Sequence, residues 1–350
     1  MPNTNSNRHG LTLSVGIPTF NQANFLGQTL DSLLSQTRPP DEIVVSDHYS
    51  TDNTQHVLAD YAARIPNPRT VIRVVQPPPN SNLTAQYNFT LSSLSGDWIA
   101  LLSSDDIAYP SYCETLLRGA ASAPNAALVR AGWDHIDQTG KVTATNYLLR
   151  APHIQPPPAT LLDQKYGPTV NFAAFAIRRE AFQQSGPILS SLESLSDWAL
   201  FLQLTPFGPY VYEHALISGY RVGHDGNKFR DRIVMWTRDQ ARVFHEVIPL
   251  AATRCGIKDL AWIQEASRYN LIRYLANASR QFGPDERAPI TPAFQAWADT
   301  LPTALAQTCR VPIQAFAAGE VTRTSLPLSR RIKNILRPVS QRLHTVLRRH

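Results

Sequence analysis

The chain has 350 residues, 43% apolar and 17% charged, a composition that reads as globular and suits one large domain with an appendage, or two domains. Three cysteines, Cys113, Cys255 and Cys309, stand far apart without CxxC or Cys/His spacing, which argues against a disulfide framework and a zinc site and points to a reducing cytoplasm. The formal charge of +6 belongs to the end of the chain: Arg330, Arg331, Lys333, Arg337, Arg342, Arg348 and Arg349 follow one another without an acid, and the rest is slightly acidic.

The first ten residues, MPNTNSNRHG, are polar, which predicts a disordered N-terminus (1–10) without a signal peptide. No run reaches the ~18 apolar residues that a membrane-spanning helix needs. From Leu11, LTLSVGIP alternates apolar and polar residues, with Leu11, Leu13, Val15 and Ile17 on one face, and predicts a strand that stops at Pro18. Thr19, Phe20 and Asn21 form a loop at its carboxyl end. A helix follows, with Asn21 or Asn24 as its cap and Leu26, Leu30, Leu33 and Leu34 at helical spacing. The β-branched run from Glu42 predicts a second strand ending at Asp47, with Ser50 capping a helix that carries Val57, Leu58 and Tyr61. Thr70 to Gln76 supplies a third strand, and the turn-rich PPPNSN leads into a helix around Ala85 to Leu94. Strands alternating with helices predict right-handed crossovers and an α/β fold on a mostly parallel, doubly wound sheet.

The segment from Asp97 to Leu102 is short and almost wholly apolar, as a strand buried on both faces should be. It runs into two adjacent carboxylates, Asp105 and Asp106. In open α/β sheets ligands bind beyond the carboxyl ends of the strands, so Thr19, Asp47 and the Asp105–Asp106 pair point at one crevice. Adjacent like charges are tolerated best beside a cation, and a divalent Mn or Mg carrying a diphosphate suits oxygen ligands. An acidic turn capping the next helix is the alternative reading. Neither GxGxxG nor GxxxxGK[ST] occurs, so a glycine-rich phosphate cradle is excluded.

SVGIPTFNQANFLGQTLDSLLSQT, EIVVSDHYSTDNT and GDWIALLSSDDIAYPSY, in that order and spacing, resemble the family 2 glycosyltransferases of GT-A fold. The resemblance implies that Pro18, Thr19 and Asp47 hold the nucleoside, and that Asp105 and Asp106 form a DxD-type motif for the sugar nucleotide and its metal. Ser103 stands where many members carry another Asp, His48–Tyr49 where Asp-Gly is common, and Gln86–Tyr87 where an arginine often lies near the phosphates. AGWDHIDQTGKV (131–142) and NFAAFAIRREAF (171–182) resemble the acceptor-side half. In LSDWALFLQL (195–204), Leu200, Phe201 and Leu204 repeat at helical spacing and put Asp197 in a first turn. On the residues alone Asp197 is a helix cap or a base; the resemblance implies the catalytic base, with Ser196 in place of the frequent Glu and Glu193 as a source of help. GYRVGHDGNKF (219–229) resembles the loop that closes over the donor, which makes Arg221 a candidate diphosphate clamp and His224 a candidate metal ligand or phosphate contact.

The resulting organisation is a GT-A domain over 11–229, with a nucleotide-binding half (11–110) and an acceptor half (111–229), then a helical appendage (230–322) packed on the sheet domain, and a basic amphipathic tail (323–350). In the tail Ile332, Ile335, Leu336, Val339, Leu343, Val346 and Leu347 share a helical face opposite the arginines, interrupted at Pro338. Such a segment lies on anionic membrane surfaces; a helix docked on the protein is the alternative. Without aromatics to stack on bases, the tail is not a nucleic-acid reader.

The expected activity is inverting, metal-dependent transfer of one sugar from a nucleoside-diphosphate sugar to a hydroxyl of a glycan or lipid-linked acceptor during surface-glycan assembly. The expected location is cytoplasmic, peripheral to the inner face of the membrane. A nucleotidyltransferase on a similar fold would show a basic, glycine-rich loop after the first strand, and a binding-only relative would lose Asp106 or Asp197.

Overall fold

The computed structural model describes residues 10–64, 70–147, 151–223 and 228–320. The readings of the N-terminal arm (1–9), of His224 and of the tail from Arg330 to His350 lie outside the described residues.

The strands are β1 (Leu13–Thr19), β2 (Glu42–Asp47), β3 (Val71–Val75), β4 (Trp98–Leu101), β5 (Ile107–Ala108), β6 (Leu128–Ile136), β7 (Val142–Asn146), β8 (His153–Gln155), β9 (Phe175–Arg178) and β10 (Tyr210–Arg221). They form one sheet in the order β3-β2-β1-β4-β9-β6-β10-β5, with β7 beside β6 and β8 beside β10. β3, β2, β1 and β4 run parallel, as do β6 and β10, whereas β9 is inserted antiparallel between β4 and β6. The crossovers are α1 (Ala23–Leu34), α2 (Thr54–Arg64) and α3 (Leu83–Ser92); α4 (Tyr112–Ser122), α5 (Ala159–Asp163), α6 (Arg179–Ser185) and α7 (Ser196–Leu204) follow.

All of β1 is buried, although its sequence alternates. The alternation marks two covered faces of different depth. Leu13, Val15 and Ile17 join Leu26, Leu30 and Leu33 of α1 in the core, each large side chain contributing about 1.5–3 kcal/mol on burial. On the other face, a Cβ added at Gly16 would lie 2.6 Å from Thr90 Cγ2, so glycine is what lets α3 approach this strand. Ser14 hydrogen-bonds the buried Glu42 at 2.6 Å. Burial works to raise the Glu42 pKa, but bonds from Ser14, Ser95 and Arg73 outweigh it and hold the carboxyl below its usual range.

Two helix starts differ from the sequence reading. α1 begins at Ala23, with neither Asn21 nor Asn24 as its cap, because Asn21 takes φ 53° and its Oδ1 accepts the Thr51 N–H at 2.8 Å, while the Ala23 N–H is taken by Asp52 Oδ2 at 3.0 Å. Ser50 does not cap α2, because its hydroxyl donates to Asp47; Asp52 Oδ1 accepts the Thr54 N–H at 3.0 Å. These bonds stitch the β1–α1 and β2–α2 loops together.

The chain parts into two compact units. The sheet unit holds Met1–Leu162, Pro168–Ser191 and Ser196–Asp225; the helical unit holds Asp163–Gly167, Leu192–Leu195 and Gly226–His350. In the helical unit the described residues form α8 (Lys228–Arg242), α9 (Ile248–Arg254), α10 (Ala261–Gln281), α11 (Pro284–Arg287), α12 (Thr291–Asp299) and α13 (Thr303–Ala317). Its core is aromatic: Phe294 meets Phe316 at 5.7 Å, and buried Trp297 donates its indole N–H to Ser267 Oγ at 3.0 Å. Among the described residues no helix is long and apolar enough to cross a membrane.

Candidate active site

The parallel register sets the carboxyl ends of β1 and β2 level, Pro18 opposite Ser46 and Thr19 opposite Asp47. Gln86 of α3 fastens these ends together, its amide donating to Thr19 O at 3.2 Å and Ser46 O at 3.1 Å. The buried Thr19 hydroxyl has no hydrogen-bond partner among the described residues. Asp47 is also fully buried, and its carboxylate is turned into its own loop, where it accepts from the Ser50 N–H at 3.2 Å, from the Ser50 hydroxyl and from Gln55 Nε2. The Gln55 partner was not anticipated from the sequence. What these strand ends present to solvent is aromatic: Phe20 is 53% exposed and Tyr49 is 43% exposed, with His48 between them at ring distances of 5.9 and 6.1 Å. Tyr49 adopts φ 57°, a left-handed conformation that disfavours a bulky side chain.

Beyond β4 the chain turns so that Asp106 is buried and Asp105 half-buried. Two elements hold this turn. Thr29 of α1 donates its hydroxyl to Ser104 O at 2.9 Å and Asp106 O at 2.8 Å. From the end of β10, the Arg221 N–H donates to Asp106 Oδ1 at 2.8 Å. The Arg221 guanidinium, 1% exposed, bonds Asp105 O, Asp137 O, Gln138 O and Gln28 Oε1 and lies 4.7 Å over the Phe25 ring. The sequence reading expects a diphosphate contact from Arg221; these bonds commit its guanidinium to the Asp105 carbonyl and to three acceptors outside the acid pair.

Asp197 stands in the first turn of α7, half-buried, and accepts the Trp198 N–H on Oδ1 at 2.7 Å. Burial outweighs that bond and pushes its pKa up to about 6. Tyr87 of α3 feels the charge of Asp197 and of the acid pair alike. Its ring meets Phe172 edge-on at 5.1 Å. Its phenol is pushed up by burial first, then by Asp197, Tyr220, Asp105 and Asp106, so carboxylates from two distant stretches of chain act on one hydroxyl. A tyrosine beside Gln86, where the resemblance implies an arginine, was the signal for it in the sequence.

Among the described residues no cluster of three or more His, Cys, Asp or Glu side chains is built to hold a metal. Two adjacent carboxylates fit a Mg or Mn ion that takes its remaining ligands from substrate phosphates and water, rather than an all-protein cage. A cleft of about 380 Å³ lined by Leu11, Asp97, Arg178 and Arg179 lies at the amino-terminal ends of β1 and β4, opposite the strand ends that carry Thr19 and the acid pair.

Residues 14–186 match the family described as Glycosyl transferase family 2. The chain is 26% identical over 242 residues to the putative glycosyltransferase EpsE of Bacillus subtilis, covering 68% of this chain and 82% of that protein. It is 27% identical over 228 residues to the chondroitin synthase of Pasteurella multocida, covering 65% of this chain but only 22% of the synthase. Among solved structures, S. aureus TarS 1–349 matches with a TM-score of 0.65 and 15% identity, covering 89% of this chain and 90% of that one, a likeness of fold. Structures of the same TarS segment are complexes with UDP and with UDP-GlcNAc.

Proposed function

Because this chain belongs to glycosyltransferase family 2, we propose that it moves a single sugar from a nucleoside-diphosphate sugar to a hydroxyl of a glycan or lipid-linked acceptor, with inversion, in surface-polysaccharide assembly. The observation that carries this reading is the acid pair Asp105–Asp106 held beyond the carboxyl end of β4 by Thr29 and Arg221; the charges of both acids and of Asp197 raise the Tyr87 phenol, which supports a base near them. An inverting transfer needs an anchor for the leaving diphosphate and a base for the attacking hydroxyl within one substrate's reach.

Each group has a task that follows from its chemistry. Asp105 and Asp106 would hold a divalent Mn or Mg, which would supply Lewis-acid stabilisation of the leaving diphosphate. Asp197 takes the proton from the acceptor hydroxyl as it attacks the anomeric carbon from the opposite face. Its pKa of about 6 makes it a stronger base than an ordinary carboxylate while leaving it mostly ionised at neutral pH. Tyr87, raised above its usual range, stays protonated and keeps its hydroxyl available as a hydrogen-bond donor. Phe20, His48 and Tyr49 offer ring faces to the nucleobase, and the backbone strain at Tyr49 supports a use for its side chain there. Pro18, Thr19 and Asp47 shape the floor beneath them. The basic tail is the element for an anionic membrane surface, which suits a lipid-linked acceptor.

The reading is tested by thermal stability against UDP-, dTDP- and GDP-sugars with and without Mn. UDP-GlcNAc comes first because TarS binds it. A ligand at about 100 times its dissociation constant adds roughly 2.7 kcal/mol. A metal-dependent shift for one nucleotide supports the reading, and no shift with any of them contradicts it.

A further inference from the structure

α7 is entered from a short segment, Leu192–Leu195, that belongs to the helical unit. Its sequence, LESL, has no glycine or proline to fix a conformation. Three successive backbone N–H groups of this segment nevertheless point at one atom. Glu193 N, Ser194 N and Leu195 N donate to Asp239 Oδ2 at 3.0, 2.7 and 3.3 Å, and the Ser194 hydroxyl adds a fourth bond at 2.7 Å. Asp239 lies on α8 and is 0% exposed. Its other oxygen, Oδ1, has no hydrogen-bond partner among the described residues.

Consecutive N–H groups that converge on an anion form a concave nest, and carboxylate bonds to such groups are the strong, charge-assisted kind. The arrangement is lopsided, because one oxygen takes every donor while its neighbour is buried without one. Burying a carboxylate in that way is costly, so it is a poor device for stability alone. It is a good device for specifying a conformation, since three N–H vectors meeting at one point fix the backbone of all three residues. The nearby Arg238–Glu193 pair, at 3.4 Å and exposed on both sides, adds little and does not replace it.

Leu195, the last residue of the nest, precedes Ser196 and Asp197 directly in the chain. We propose that Asp239 is a positioning residue for Asp197: by gripping the three residues before α7 it sets where that helix starts and how its first turn is rotated. The helical unit then has a role in the chemistry through the covalent path from Leu195 into α7. This inference rests on the reading of Asp197 as the base.

The test uses the full chain and the variants Asp239→Asn, Ser194→Ala and Asp197→Asn. Two measurements are made: amide hydrogen exchange over residues 192–204, and UDP release from UDP-GlcNAc with water as the acceptor. Asp239→Asn keeps the shape but loses the charge. It is expected to speed exchange through Ser196, Asp197 and Trp198 as well as at 193–195, and to lower kcat about tenfold with KM unchanged, the mark of a displaced base rather than a damaged donor site. Ser194→Ala, which removes one of the four donors and leaves the carboxylate in place, is expected to act in the same direction to a smaller extent, and it carries the test should Asp239→Asn fail to fold. Faster exchange that stops at Leu195, or an unchanged kcat in these variants while Asp197→Asn abolishes release, overturns the inference alone. Release that survives Asp197→Asn overturns the base assignment, and the inference with it. Exchange does not depend on turnover, so it decides whether Asp239 holds the first turn of α7 whichever sugar is the natural donor.

Discussion

The backbone N–H of Arg221 donates to Oδ1 of Asp106 at 2.8 Å, joining the last residue of β10 to the second acid across 115 positions of sequence. The same arginine's side chain bonds the carbonyl of Asp105 at 2.7 Å. The acid pair is thus held by one residue from a distant strand, and its presentation depends on that residue's planar fork.

Replacing this fork should be expensive. Arg221→Lys keeps the charge but cannot reach four acceptors at once, and leaving buried carbonyls without partners costs about 1–3 kcal/mol each. A fall in stability of at least about 3 kcal/mol by urea denaturation is expected, with weaker metal-dependent nucleotide binding in the protein that remains folded. Unchanged stability in Arg221→Lys would remove the argument that the guanidinium is structural.

The pKa of Asp197 makes a two-sided prediction about pH. A base must be deprotonated, so kcat should rise with pH through about 6 and level off above it. For stability the sign is opposite. The folded carboxyl binds its proton more tightly than the unfolded one, whose ordinary value is 3.8, so its contribution favours the folded state below that value and is lost as pH rises through about 6. Asp197→Asn should therefore be inactive and more stable than the parent at pH 7, and the gain should shrink at pH 4. Melting curves of the two proteins at both pH values check this.

Tyr49 offers a trade of the same kind. Its left-handed backbone stores about 1–3 kcal/mol, and glycine adopts that conformation freely. Tyr49→Gly should raise the melting temperature while weakening nucleotide binding by about tenfold, which corresponds to the roughly 1.4 kcal/mol that a lost ring contact can reach. Isothermal titration with the nucleotide that shifts stability is the check; unchanged affinity would remove the aromatic faces from the account.

The parts of this molecule that were legible in the sequence are those set by neighbours. The apolar run ending at Asp105 and Asp106 marks β4 because a strand covered on both faces has no polar positions, and α7 was visible from Leu200, Phe201 and Leu204 alone. The parts that were not legible are long-range. Arg221 reads as a candidate diphosphate clamp in a glycine-containing loop, and nothing local says that its partners include Gln28, 193 positions away. Asp47 reads as an open ligand until Gln55, the second residue of α2, is seen to take its second oxygen. Asp239 lies in an ordinary amphipathic helix, and only the fold brings the amides of 193–195 to it. The helix starts failed for the same reason, since Asp52 serves Ala23 across two loops.

The tail carries its own prediction. Its basic residues, Arg330 to Arg349, would attract an anionic surface by about 1 kcal/mol per charge near it. Deleting Arg330 to His350 should release the protein from phosphatidylserine vesicles in a sedimentation assay without changing nucleotide-induced stabilisation. Retained vesicle binding would remove the tail from the account.

The central claim is a division of labour, with Asp105 and Asp106 holding the donor and Asp197 serving the acceptor. It is tested most directly by measuring Mn-dependent nucleotide binding and UDP release side by side in Asp106→Ala and Asp197→Asn. The account predicts that Asp106→Ala loses binding, whereas Asp197→Asn binds as the parent does and loses turnover by about 10²–10⁴-fold. Equal losses of binding in the two variants, or turnover that survives Asp197→Asn, would contradict it.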